Sequence, residues 1–257
     1  MSLLDVRGLG KSFGGVKAVD GIDFTLARGE MLALIGPNGA GKTTTFNLLN
    51  GQLPADRGTV LLDGQDLRGL PPRAIWRRGV GRTFQIAATF TTFTVAENVQ
   101  MALLSHDRRL FSPWRRASAY RHADALALLA LVGMQAQAAR PCGELAYGDV
   151  KRVELAIAIA HAPRLLLMDE PTAGMAPPER HALMALTRRL VAQTGMAVLF
   201  TEHSMDVVFA HADRVIVLAR GRLIADGTPQ QVRADPQVQA VYFGGGTTFA
   251  PLAGVPA

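Results

Sequence analysis

The sequence GPNGAGKT, which occupies residues 36–43, directly follows the apolar segment 31–35. It fits the pattern G-x-x-x-x-G-K-[ST], in which glycines allow consecutive backbone N–H groups to surround phosphates at the start of a helix. A glycine-rich turn without a ligand is the alternative. The strand-like segment before the loop and the helical spacing after it nevertheless supply the context that a phosphate-binding loop requires. The sequence therefore predicts a nucleoside triphosphate site formed by Gly36, Pro37, Asn38, Gly39, Ala40, Gly41, Lys42, Thr43 and Thr44.

Two side chains of this loop have predicted chemical roles. We expect the ammonium group of Lys42 to reach the β and γ phosphates of the nucleotide. We expect the hydroxyl group of Thr43 to ligate Mg²⁺. The loop therefore predicts two ligands, a nucleoside triphosphate and a magnesium ion.

The composition of the 257-residue chain restricts its class. Hydrophobic residues make up 49% of it and charged residues 19%, yet no apolar stretch reaches the length of a membrane span. The first residues lack the basic and apolar regions of a secretory signal. The single cysteine, Cys142, has no partner for an intrachain disulfide bond, which fits a reducing compartment. We therefore expect a cytoplasmic protein with one large domain or two intimately packed ones.

Part of the net charge of +6 is concentrated in a segment that also contains aromatic residues. A solvated helical face is one interpretation of this segment. A surface that faces anionic lipid head groups or a membrane partner is the functional interpretation that we prefer. Nucleic-acid binding is not expected, because no recognisable nucleic-acid-reading module accompanies the basic residues. The segment contains Arg108, Arg109, Phe111, Trp114, Arg115, Arg116, Tyr120 and Arg121.

Short β-favouring segments and helical segments alternate along the chain, except between residues 86 and 161, where only helical spacing occurs. This pattern predicts an α/β core with a largely parallel sheet, interrupted by a helical layer. Residues 244–257 are rich in small residues and predict a flexible tail. The predicted strands cover residues 3–7, 22–26, 31–35, 59–62, 80–84, 165–168, 197–201, 215–218 and 222–225, and the predicted helices 72–76, 95–104, 120–132, 150–160, 178–192 and 204–210.

Two acidic residues, Asp169 and Glu170, follow the apolar segment 165–168. Alone, such a pair fits either an ordinary strand end or a site. Ligands of parallel α/β sheets gather at the carboxyl ends of the strands, so these acids should lie beside Lys42 and Thr43. We expect Asp169 to hold the magnesium shell and Glu170 to polarise the attacking water.

Residues 145–149 precede a predicted helix and resemble the signature motif of ATP-binding-cassette (ABC) ATPases, which usually reads Leu-Ser-Gly-Gly-Gln. Three other residues match motifs of the same family in the expected order. They are Phe13, which matches the aromatic residue that stacks on adenine, Gln85, which matches the loop that senses nucleotide, and His203, which matches the switch histidine. The resemblance covers about residues 3–243.

The resemblance implies a P-loop NTPase fold with an N-terminal antiparallel β subdomain and a helical subdomain that carries the signature motif. Residues 1–243 would form one ABC ATPase domain, with the catalytic core at 1–85 and 162–243 and the helical subdomain at 86–161. Two such cassettes close over two ATP molecules, and each phosphate loop faces the other's signature motif. The implied catalytic residues are Lys42, Gln85, Glu170 and His203, the implied magnesium ligands Thr43, Gln85 and Asp169, and the implied nucleotide contacts outside the phosphate loop Phe13, Leu145, Ala146, Tyr147, Gly148 and Asp149.

Within the family, the chain resembles the ATPases of bacterial branched-chain-amino-acid-type importers. The segments that carry this resemblance include 12–15, 82–85, 94–99, 145–148, 173–175 and 241–244. It implies a second ATPase subunit, predicted to be a different chain, two transmembrane permease subunits and a periplasmic solute-binding protein. The chain would then lie peripherally on the cytoplasmic face of the inner membrane. The alternatives are an ATPase of the lipopolysaccharide-export type, a soluble DNA-repair or translation ATPase, and a non-catalytic nucleotide sensor.

The chain departs from the family pattern at four positions. Ala146 replaces a serine that donates to the partner's γ-phosphate, and Asp149 replaces a common glutamine. Ala176 replaces an acidic or amide residue in the loop that crosses between sites, and Ile157 replaces a common arginine. We therefore expect a weaker contribution to the opposite nucleotide, and an intact half-site around Lys42.

Overall fold

The computed structural model describes residues 2–83, 89–108 and 120–243, which contain ten strands and nine α-helices. No helix in these ranges combines the length and apolar character needed to cross a bilayer. The strands are β1 (Ser2–Phe13), β2 (Val16–Ala27), β3 (Met31–Ile35), β4 (Arg57–Leu62), β5 (Gln65–Asp66), β6 (Val80–Thr83), β7 (Leu165–Asp169), β8 (Ala197–Thr201), β9 (Arg214–Ala219) and β10 (Arg222–Gly227). The helices are α1 (Lys42–Leu49), α2 (Pro72–Arg77), α3 (Val95–His106), α4 (His122–Leu131), α5 (Tyr147–Ile159), α6 (Pro177–Thr194), α7 (Met205–His211), α8 (Pro229–Ala234) and α9 (Pro236–Phe243).

A six-stranded sheet forms the centre of the molecule, with the strand order β10-β9-β3-β8-β7-β6. All its pairings are parallel except the one between β9 and β10. Every residue of β3, β7 and β8 is buried, as expected for apolar strands covered on both faces. The carboxyl ends of β3, β7 and β8 therefore meet at one edge of the sheet.

A second sheet, with the order β2-β1-β4-β5, is antiparallel and packs its own apolar cluster against α1 and one face of the central sheet. Its first two strands are longer than predicted. The predicted strands 3–7 and 22–26 stop beside Gly8 and Gly21, but both glycines lie within the observed strands. They have left-handed backbones, with φ of 55° and 72°, beside irregularities in the register of β1 and β2. Such irregularities bend a strand without ending it.

Helices α3, α4 and α5 pack against each other and form the predicted helical layer between β6 and β7. Helix α3 begins with a capping box, in which Thr94 and Glu97 accept hydrogen bonds from each other's backbone N–H groups. Cys142 is buried in this layer, where it packs with the core. The predicted fold class is confirmed, whereas the subdomain boundaries at 85, 161 and 243 stay predictions, and the predicted tail lies outside the described residues.

Candidate active site

The phosphate loop joins the buried strand β3 to helix α1. At two positions of this loop, the backbone passes so close to a neighbouring strand that only glycine fits. A Cβ atom on Gly36 would lie 2.2 Å from the carbonyl oxygen of Leu218, and one on Gly41 would lie 2.3 Å from that of Ala18. Gly41 is also the N-cap of α1 and has a left-handed backbone with φ of 107°. The loop therefore wraps tightly against β2 and β9 and leaves its outer face open.

The side chain of Lys42 is held inside this loop. Its Nζ atom donates to the carbonyl oxygens of Gly36 at 2.6 Å and Pro37 at 3.2 Å. Burial lowers the pKa of Lys42, and the negative charges of Glu170 and Asp169 oppose this shift. The ammonium group is thus pre-positioned by backbone acceptors before any phosphate arrives.

The outer face of the loop opens into a cavity of about 200 Å³. Glu170 and Ala18 line it together with the predicted residues Asn38, Gly39, Ala40, Gly41, Lys42, Thr43 and Thr44. The structure therefore brings the phosphate loop and the acid at the end of β7 to one cavity, whose positive wall is the N-terminus of α1.

Asp169 is the last residue of β7 and is buried. Thr201, its neighbour on β8, donates its hydroxyl to Asp169 Oδ1 at 2.8 Å and accepts from the backbone N–H of Glu170 at 3.0 Å. The carboxylate is therefore fixed in orientation. Carboxylate and hydroxyl oxygens beside phosphates are the ligands that Mg²⁺ prefers, so Asp169 and the exposed Thr43 fit a magnesium site. Among the residues that the structure describes, no group of three His, Cys, Asp or Glu side chains could itself hold a metal ion.

Arg82 was not among the predicted site residues. Arg82 lies within β6. Its Nη2 atom lies 3.3 Å from Asp169 Oδ2. Its Nη1 atom donates to the amide oxygens of Asn47 at 2.8 Å and Gln52 at 3.1 Å. Burial lowers the pKa of Arg82, and the charge of Asp169 opposes this shift. The sequence signal that could have indicated this role is a cation within a short, largely buried strand.

His203 and Glu170 form a close pair, with 2.8 Å between His203 Nε2 and Glu170 Oε1. Glu170 has a left-handed backbone with φ of 48°, which is uncommon for a residue with a side chain. Buried Glu202 accepts from the backbone N–H and hydroxyl of Thr172 and from the N–H of His203. The loops after β7 and β8 are therefore fastened to each other around the pair.

The signature segment lies at the start of α5, which begins three residues before the predicted helix. Ala146 is its N-cap and offers no side-chain acceptor, so no polar cap marked this start in the sequence. Leu145 packs against the core and Asp149 lies in the first turn, while the side chain of Tyr147 is 47% exposed. None of these residues, nor Gly148, lines the cavity at the phosphate loop, as far as the described parts of the chain show. The structure thus does not bring the two motifs of one chain together.

Phe13, a further predicted residue, does not line this cavity. Phe13 ends β1 and is 47% exposed, with Lys11 Nζ 5.5 Å from the centre of its ring, so its ring is open to a flat ligand. Gln85, predicted as a catalytic residue and a magnesium ligand, lies outside the described residues. Of the remaining departures, Ile157 packs partly buried against the core, and Ala176 is the exposed N-cap of α6.

A phosphate loop between a parallel strand and a helix, beside an acidic strand end, defines a P-loop nucleoside triphosphatase. A family model described as ABC transporter matches residues 19–173, and one described as branched-chain amino acid ATP-binding cassette transporter matches residues 222–247. The chain belongs to the ABC transporter family. It is an ATPase, as predicted, and it binds ATP.

Individual relatives agree with this assignment. The chain is 40% identical over 249 residues to LivG of Escherichia coli K12, described as a high-affinity branched-chain amino acid transport ATP-binding protein, with 94% of this chain and 98% of LivG covered. It is 35% identical over 244 residues to LptB of Haemophilus influenzae, described as a lipopolysaccharide export system ATP-binding protein, with 95% and 98% covered. The solved ADP conformation of an ABC transporter cassette superposes with a TM-score of 0.85 and 31% identity, covering 95% of this chain and 99% of that one. The importer prediction is favoured over the export alternative, and the roles of individual site residues stay predictions.

Proposed function

We propose that this chain is the ATPase subunit of an importer for branched-chain amino acids or related small solutes. The match of residues 222–247 to the branched-chain family carries the proposal, because it lies outside residues 19–173, which match the general ABC transporter model. LivG, a relative along almost the whole chain, acts in transport of this kind. The chain would work on the cytoplasmic face of the inner membrane with two permease subunits and a periplasmic solute-binding protein.

A second ATPase subunit is part of the proposal. The cavity at the phosphate loop is open, and residues 145–149 of the same chain do not line it. A partner could therefore supply its own signature segment to cover the nucleotide here, while residues 145–149 cover the partner's nucleotide. Ala146 offers no hydroxyl donor, so we propose that the two sites are unequal and that the partner is a different chain.

The chemistry follows from the positions of the side chains. Bound Mg²⁺ would neutralise charge on the β and γ phosphates, and Thr43, Asp169 and Gln85 would hold it. Lys42, already inside the loop, would bind the β and γ phosphates, and Phe13 would stack on the adenine. Glu170 would take the proton of the attacking water, and His203 would keep the Glu170 carboxylate oriented through their 2.8 Å contact.

Contact with the permeases would involve the helical layer. Phe90 and Phe93 are 53% and 37% exposed, and their ring centres lie 5.1 Å apart. They precede α3 and follow the segment that contains Gln85. An exposed aromatic pair at this point fits a docking contact through which closure of the ATPase subunits reaches the membrane.

The substitution Glu170→Gln in the assembled transporter tests the catalytic assignment. Loss of a general base should lower ATP turnover at this chain's site by about 10²–10⁴-fold and should abolish coupled uptake of labelled leucine into proteoliposomes. Glu144→Gln, which changes an exposed glutamate in the same way, is the matched control and should behave like the wild type. Turnover near the wild-type rate in the Glu170 variant would show that the base lies elsewhere.

A further inference from the structure

We infer that Tyr147 is a positioning residue that holds the loop carrying Glu170, and so links the signature segment of this chain to its own catalytic pair. The inference rests on the proposed function, because it assigns Tyr147 to the same reaction. It differs from the expected role of the signature segment, which is to contact the nucleotide of the partner.

The contacts of Tyr147 are made within its own chain. Its hydroxyl group donates to the carbonyl oxygen of Ala173 at 3.1 Å. Its ring lies against Gly174, where an added Cβ atom would be 3.4 Å from the ring. Ala173 and Gly174 belong to the loop that runs from Glu170 to the start of α6. The hydroxyl group of Tyr147 is therefore already hydrogen-bonded to this loop.

A second contact joins the same two segments. A Cβ atom on Gly148 would lie 3.2 Å from Glu179 Oε1, so the backbone of the signature segment closely approaches this side chain. Glu179 in turn accepts from the backbone N–H of Ala176, the N-cap of α6, at 3.2 Å. The first turns of α5 and α6 therefore meet where the loop enters α6.

The loop is also fastened to the histidine of the catalytic pair. Arg180 Nε donates to the carbonyl oxygen of Met175 at 2.7 Å, and Arg180 Nη1 donates to Ser204 Oγ at 2.7 Å. Ser204 directly follows His203, which contacts Glu170. Buried Met175 anchors the end of the loop nearest α6 in the core. A continuous set of contacts therefore leads from Tyr147 through residues 173–180 to His203 and Glu170.

The left-handed backbone of Glu170 explains why this loop needs support. Residues held in sparsely populated backbone regions persist only when their surroundings hold them there. Tyr147 supplies one such restraint from the signature side. If α5 moves when the partner's nucleotide binds, these contacts would transmit the movement to Glu170 of this chain.

The first experiment uses the isolated full chain and histidine NMR. Tyr147→Phe removes only the hydroxyl group and should shift the Cε1–H resonance of His203, which is assigned by its loss in a His203→Ala variant. Tyr120→Phe is the matched control, because Tyr120 also donates its hydroxyl, to Asp107 Oδ2 at 2.6 Å, but in the helical layer away from the loop. It should leave the His203 resonance unchanged. An unchanged His203 resonance in the Tyr147 variant overturns the inference.

The second experiment measures ATP turnover by the assembled complex that contains the Tyr147→Phe variant of this chain. Loss of one net hydrogen bond should lower the maximal rate at this chain's site by roughly two- to tenfold, with little change in the ATP concentration at half-maximal rate. Unchanged turnover overturns the inference even if the His203 resonance moves, because the link would then be structural only. Absence of turnover in the wild-type complex would instead contradict the proposed function, and the NMR result would still decide whether Tyr147 holds the loop.

Discussion

At the scale of single residues, the site is built around charges that the fold has partly removed from water. Lys42 and Asp169 are both buried, and each is held by hydrogen bonds from within the chain. Such groups cost free energy to bury unless they are paired. Their burial therefore makes them sensitive to the arrival of a charged ligand.

Lys42→Met gives a direct test of this sensitivity. Methionine keeps most of the side-chain volume but loses the ammonium group, and one charged hydrogen bond contributes about 1.5–3 kcal/mol. We expect the affinity of the isolated chain for a fluorescent ATP analogue to fall by about ten- to a hundredfold. Thermal unfolding without nucleotide should change little, since the same substitution removes a desolvated charge. Equal affinity in the variant and the wild type would contradict the assigned role.

The sequence motif predicted the residues of the phosphate loop, because that pattern depends on local backbone geometry. It did not indicate Arg82, because the contact with Asp169 exists only once β6 pairs with β7 across 87 positions of the chain. The pairing of His203 with Glu170 likewise depends on neighbouring strand ends. Local spacing therefore predicted residue types, and tertiary pairing determined their partners.

At the scale of elements, burial decided how well boundaries could be predicted. Strands β3 and β8 have the predicted bounds, since each is a short apolar segment buried along its whole length. Strands β1 and β2 continue through Gly8 and Gly21, beyond their predicted bounds, because irregular pairing accommodates those glycines. The start of α5 was predicted three residues too late, because its N-cap, Ala146, has no polar side chain that would mark a helix start in the sequence.

Ala146→Ser should therefore stabilise the protein. The backbone of Ala146 is extended, with φ of −63° and ψ of 151°, as an N-cap requires, and a serine oxygen could accept from the backbone N–H of Gly148 or Asp149. We expect the free energy of unfolding to rise by about 0.5–1 kcal/mol, measured by urea denaturation. Ala130→Ser, at an exposed position inside α4, should instead lower it by a few tenths of a kcal/mol. A loss of stability in the Ala146 variant would show that the serine does not cap the helix.

At the scale of the whole molecule, helices α2 and α3 and the turn after α5 meet at an aromatic cluster formed by Trp76, His106 and His161. The ring centres of Trp76 and His161 lie 4.5 Å apart, and those of Trp76 and His106 lie 5.5 Å apart. Burial, and secondarily the nearby His106, lower the pKa of His161 to about 4. His161 is thus neutral in the folded chain at a pH where an exposed histidine is charged.

This cluster predicts a loss of stability in mild acid. Between pH 6.5 and about 4 the unfolded chain binds a proton at His161 that the folded chain does not, so the free energy of unfolding falls as the pH falls through this range. The loss at His161 should reach about 3 kcal/mol. His161→Phe keeps an aromatic ring and should make the dependence measured by urea denaturation shallower. His122→Asn, at an exposed histidine, should leave it unchanged, and equal slopes in all three proteins would contradict the prediction.

The order of the motifs along the chain predicted the overall architecture, because alternating strands and helices allow few arrangements of a parallel sheet. The packing of the helical layer on the core was not predictable in the same way. Contacts such as the Trp76 cluster join residues 76, 106 and 161, which belong to no shared local pattern.

The left-handed backbone at Glu170 costs stability at a position for which we propose a catalytic role. A side chain in this conformation costs roughly 1–2 kcal/mol relative to glycine, which adopts it freely. Selection for fold stability alone would therefore favour glycine at this position and remove the carboxylate that we propose as the general base. Selection for ATP turnover would keep glutamate at this position. A more thermostable variant would then have to gain its stability from substitutions elsewhere in the chain.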